Sequence, residues 1–140
     1  MNIRETVLVS ALVLMPWASR VQDKGTPAVP ADVASGKLTY KDYCAACHGA
    51  DGRGHGPAAS ALKTPPTNLR TLAIRHDGKF PEEYVSRLVR SGDPISAHGS
   101  SDMPVWGPVF SMLENGDELG VRQRIKNLCS YLASIQDKKT

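Results

Sequence analysis

The chain has 140 residues, 41% of them hydrophobic and 22% charged, the make-up of one ordinary soluble globular domain with one core. Its net charge is +3 at pH 7 and it holds no basic run, so nucleic-acid binding is excluded, while mild steering toward an acidic partner is allowed.

At the start, Arg4 precedes an apolar run from Val7 to Met15, followed by Pro16, Trp17, Ala18 and Ser19. This is the pattern of a secretory leader over residues 1–19. The run is shorter than the roughly 20 residues needed to span a bilayer. No clean small-x-small pair precedes Arg20, so cleavage is expected between Ala18 and Ala28, and an uncleaved membrane anchor is the alternative. Removing residues 1–19 takes away only Arg4 and Glu5, which leaves the charge at +3. Gly25, Pro27 and Pro30 among small residues mark 20–31 as a flexible linker, and 32–140 is the expected folded domain.

A first helix is predicted over 32–46, with Asp32 or Ser35 as its cap. Its end carries Cys44-Ala45-Ala46-Cys47-His48, and Cys-x-x-Cys-His is the attachment signal of a c-type haem. Residues i, i+3 and i+4 share a helical face. Two thiols can therefore reach the two haem vinyl groups while the imidazole meets the iron. A thioredoxin-like dithiol expects a βαβ neighbourhood, and a zinc site wants further Cys or His at knuckle spacing. Neither context is present: the only other cysteine is Cys129, and the surroundings read as helix and loop.

Gly49, Gly52, Gly54 and Gly56 follow within eight residues. Glycine lets backbone approach a flat ligand closely, although a plain mobile loop has the same composition. Leu62 to Asn68, with Pro65 and Pro66, is expected to be extended and to wrap the haem edge. From Pro81 to Arg90, Tyr84, Val85, Leu88 and Val89 mark one face of a short helix, with proline at its first turn and Gly92 at its end. Gly92 to Gly107 reads as loop and holds Met103-Pro104, while Met112 falls at a helix start. Val121, Ile125, Leu128, Leu132 and Ile135 form the stripe of a last amphipathic helix that ends near Gln136.

Taken together, these features resemble the class I cytochromes c of the small, single-haem bacterial kind, over residues 33–136. Gly36 and Tyr40 stand eight and four residues before Cys44, as do the glycine and aromatic of that family's first helix. Leu128 and Tyr131 resemble the pair on its last helix that crosses them. The likeness implies an all-α fold: a single cytochrome c-like domain, terminal helices crossing, loops wrapped around one haem c held through Cys44 and Cys47. It also implies axial ligation by His48. Gly56-Pro57 resembles the proline whose carbonyl accepts from the axial imidazole, with a plain turn proline as the other reading. Met103-Pro104 resembles the sixth-ligand loop, a thioether being a soft donor suited to haem iron. Its rivals are His55, His76 and His98, and core filling is the bland reading of Met103.

Trp106 has two readings, a hydrogen bond to a haem propionate through its indole N–H or core packing. Arg53, Lys63, Arg70, Arg75 and Lys79 are candidates to rim the haem edge, against a default of solvated surface. Cys129 lies beside the apolar stripe of the last helix, where burial makes it inert; an intermolecular disulfide is the alternative.

The resemblance implies a periplasmic one-electron carrier, not an enzyme, serving a respiratory or dehydrogenase chain through redox protein partners, with an acidic docking face on the partner. Membrane association would follow only from an uncleaved leader or a complex. The alternatives are a haem-bearing electron-entry subunit of a larger redox complex and, behind it, a gas sensor or peroxidase with an open sixth site.

Overall fold

The computed structural model describes residues 30–92 and 103–138. The leader expected at 1–19, the linker as far as residue 29, and His98 lie outside the described residues. The described chain is all helix and loop, with the long helices α1 (Val33–Tyr43) and α6 (Glu118–Ser134) packed across one another.

Asp32 caps α1: its carboxylate accepts from the Ala34 amide at 2.9 Å, and Ser35 donates to the same side chain. One continuous helix was expected to run to residue 46, but the chain bends at Cys44 (φ −117°) and resumes as a separate turn, α2 (Ala45–His48). The amides of Gly56 and Ala58 bond the carbonyls of Cys47 and Ala46 at 3.0 and 2.9 Å, so the glycine loop folds back over α2 and takes carbonyls that would have continued it past His48. Gly49, at φ +82°, supplies the left-handed exit.

Two short 3₁₀ turns (Ala59–Ala61 and Leu69–Thr71) and α3 (Leu72–Arg75) follow. The mid-chain helix α4 (Glu82–Ser91) starts after Pro81 and stops at Gly92, which is left-handed at φ +59°. Next comes α5 (Gly107–Leu113), with Pro108 in its first turn; Met112, expected at a helix start, is near its end and well exposed. Asp117 caps α6 through the Leu119 amide at 2.9 Å.

The core forms where these helices meet. Gly36 lies so close to α6 that a Cβ there would overlap the Asn127 carbonyl, and the Tyr40 and Tyr131 rings pack at 5.3 Å in the space this opens. The Tyr40 hydroxyl donates to the Gly49 carbonyl at 2.5 Å, which ties the helix crossing to the end of α2. Val85, Leu88 and Val89 turn the buried face of α4 inward, and Phe110 of α5 is 0% exposed. Cys129 is 1% exposed and its thiol points at the Glu82 carbonyl, 3.9 Å away, so the buried reading holds and an intermolecular disulfide has no accessible sulfur. No described helix is long and apolar enough to cross a membrane.

Candidate functional site

The bend at Cys44 sets the Cys44, Cys47 and His48 side chains along one wall of a cavity of about 290 Å³. Leu62 and the 64–67 segment form a second wall, α4 contributes Val85, Leu88 and Val89, and α6 contributes Leu128 and Leu132. Met103, Pro104 and Trp106 complete the lining. The lining is chiefly apolar, with sulfur at Cys44, Cys47 and Met103, the His48 imidazole, and further polar groups from Asp42, Thr64, Thr67 and Tyr84. An apolar slot with two thiols, an imidazole and a thioether converging on it suits a flat hydrophobic ring carrying a metal. The donor set fits a haem.

His48 is oriented from behind. Its Nδ1 lies 2.9 Å from the Thr67 carbonyl, which can only accept, so Nδ1 carries the proton and Nε2 the lone pair that iron needs. This corrects the assignment to Pro57. That residue is exposed and outside the cavity wall, because its loop is committed to the backbone of α2 through Gly56 and Ala58. The acceptor comes instead from the 66–69 segment. Leu69 donates to the Gly52 carbonyl at 2.8 Å, and the Asn68 side chain accepts from the Arg70 amide at 2.9 Å, so this stretch lies against the glycine loop.

Cys44 is partly buried in the cavity wall. That burial, with Cys47 beside it, pushes its free thiol up to about 12, as an apolar wall disfavours a thiolate. Tyr43, next to it, packs edge-on to Trp106 and Phe110 at 5.4 Å each, and Trp106 stacks on Phe110 at 6.1 Å. Trp106 is therefore both cavity wall and core packing. Its amide donates to the Val89 carbonyl at 3.0 Å, which pins the Met103–Trp106 stretch against the end of α4. Gly92 and Gly107 permit that approach, since a Cβ on either would overlap Val105 or the Arg90 carbonyl.

Of the rival ligands, His55 is exposed and His76 faces the Tyr84 ring at 5.8 Å; neither borders the cavity. The basic residues do not rim it either. Arg70 pairs with Asp137 at 2.8 Å and Arg53 reaches the same carboxylate at 3.6 Å, while Arg75 donates to the Asn68 carbonyl at 3.0 Å. These contacts, with Gln136 bridging Ala73 and Leu69 at 2.8 Å, hold the 68–75 stretch to the end of the chain. Lys63 and Lys79 are exposed surface. Thr67, Leu69 and Leu72 of the site had no sequence signal beyond the expectation that 62–68 runs along the haem.

The family model for cytochrome c matches residues 33–136. No curated protein matches the chain. With the match covering the whole of the helical domain and the donors converging on one cavity, the chain belongs to the cytochrome c family and carries one haem c covalently through Cys44 and Cys47.

Proposed function

We propose that this cytochrome is an exported one-electron carrier of the small, single-haem bacterial kind, with His48 and Met103 as axial ligands, working in a respiratory or dehydrogenase chain. Haem-based electron transfer is the family's function, and its members work with redox partners; most are carriers, though some are peroxidases. The haem iron supplies the chemistry by gaining and giving up one electron. The protein residues set the terms. Cys44 and Cys47 fix the ring's position, the Thr67 carbonyl holds the His48 imidazole at one angle and raises its basicity, and the Met103 thioether favours the ferrous state. The apolar wall from α4 and α6 excludes water, which disfavours the extra charge of the ferric state and raises the potential.

The observation that carries this reading is that His48 and Met103 border the same cavity from separate segments. Ferric protein should show the weak absorption band near the red edge that marks thioether-to-iron ligation. Its absence from the wild type would overturn His/Met ligation and make His98 the first replacement to test. The leader over 1–19 supports export, and recovery of the processed protein in a periplasmic extract tests it.

A second reading, an electron-entry subunit of a larger complex, has one supporting observation. Met112, Leu113 and Leu119, around the α5–α6 turn, are 73%, 45% and 59% exposed. Co-sedimentation with membranes after osmotic shock would favour it over a free carrier.

A further inference from the structure

The His48 hydrogen bond depends on how closely the 66–67 backbone can approach α2, and one residue stands between them. Gly54 donates its amide to the His48 carbonyl at 2.7 Å. Its open Cα face lies against the next segment: a Cβ built there would overlap the Pro66 carbonyl oxygen and sit 3.5 Å from the Thr67 carbonyl carbon. Thr67 then closes the circuit by accepting from His48 Nδ1 at 2.9 Å. His48 is thus held at its main chain and at its ring by two groups that meet at Gly54. The residue is buried, has φ +91°, and is not part of the cavity wall.

We propose that Gly54 is a positioning residue for the axial histidine: by presenting no side chain to the Pro66-Thr67 peptide, it lets the Thr67 carbonyl reach Nδ1 and so sets the reduction potential without touching the haem. The proposal rests on His48 being an axial ligand. Its physical content is steric and local. A methyl group at Gly54 has backbone on its far side and cannot rotate away, so the 66–67 peptide must retreat; moving the Pro66 oxygen from 2.3 Å to a tolerable contact takes roughly 0.7 Å or more, which lengthens the Thr67 bond. A weaker acceptor leaves the imidazole less basic and the ferric state less stabilised. The potential therefore rises.

The test uses the haem-loaded protein and compares Gly54→Ala with Gly116→Ala. Gly116 has a similar φ of +80°, so both variants place alanine at a positive φ, but nothing lies within 4 Å of its would-be Cβ. In Gly54→Ala the ferric-to-ferrous ratio at fixed ambient potential should fall about tenfold, an upward shift of ~59 mV for a one-electron couple. Exchange of the His48 Nδ1–H should speed up alongside. Gly116→Ala should change neither. An unchanged potential and Nδ1–H exchange in Gly54→Ala, or an equal shift in Gly116→Ala, overturns the proposal.

Should Gly54→Ala fail to take up haem, hydrogen exchange on the wild type decides. The Gly54 amide and the His48 Nδ1–H should be protected to the same degree, because they open as one unit; a freely exchanging Gly54 amide beside a protected Nδ1–H refutes the idea. Hyperfine-shifted His48 ring protons in the ferric wild type report ligation itself, so failure of the ligand assignment is seen separately from failure of the Gly54 role.

Discussion

Replacing Gly36 by alanine sets two effects of opposite sign against each other. Alanine is the better helix former, and in the body of α1 the exchange alone should stabilise by ~1 kcal/mol. Against this, a Cβ at Gly36 overlaps the carbonyl of Asn127 and stands 3.0 Å from Tyr131 Cβ. The obstacle is the backbone of a 17-residue helix, which cannot swing aside as a side chain tip would. The helices must separate, loosening the Tyr40–Tyr131 contact and the Asp32 amide bond to Asn127 at 2.9 Å. Overpacking of this kind costs about 3 kcal/mol at the severe end, which leaves a net loss of about 2 kcal/mol. For a domain of this size that lowers Tm by ~8 °C. Thermal unfolding of the haem-loaded protein by far-UV circular dichroism measures it. A raised Tm would mean that propensity outweighs contact, and that the terminal helices do not cross at Gly36.

Met103→Ala should abolish the red-edge band, lower the potential and admit small external ligands to the iron, read by redox titration and by cyanide or carbon monoxide binding. Leu128→Ala and Tyr131→Ala should each cost about 3 kcal/mol in denaturant unfolding, but only the first should also alter the haem spectrum, because Leu128 lines the cavity as well as the helix crossing. Burial pushes the Cys129 thiol from 9.0 up to about 12, so its folded value lies above its unfolded one. Its contribution to stability is complete below pH 9.0 and is lost as pH rises through about 12, since the unfolded chain releases the proton first. Cys129→Ala should flatten the alkaline fall in stability followed by denaturant titration without removing it, because burial also shifts the Tyr40 and Tyr84 hydroxyls upward.

What could be read from the sequence shares a physical basis. The attachment motif is local, and the α6 stripe repeats often enough along 17 residues to declare its buried face. Gly36 and Tyr40 were legible only through their spacing to Cys44, and the overlap with Asn127 explains why that spacing matters. By contrast, α3 has four residues, too few for a helical period to show. The basic side chains were open to two readings because charge says nothing of its partner: Lys63 and Lys79 are the solvated surface taken as the default, while Arg70 is joined to Asp137, 67 positions away.

The exchange of Pro57 for Thr67 shows most clearly where chain-order reasoning stops. A proline following a glycine loop supplies a carbonyl, but which carbonyl meets His48 depends on which segment lies nearest once the loop has folded. Here the loop's own amides at Gly56 and Ala58 turn inward onto Cys47 and Ala46, which carries Pro57 outward to solvent. The loop's other edge, at Gly52 and Gly54, draws in the 66–69 stretch through the Leu69 amide and the bare Cα face of Gly54. Thr67 thereby reaches an imidazole 19 positions earlier in the chain. No hydrophobic period or turn signature marks such a contact, because it is made by peptide groups that every residue has. The glycines that permit it were visible from the start; the segment they admit became visible only in three dimensions.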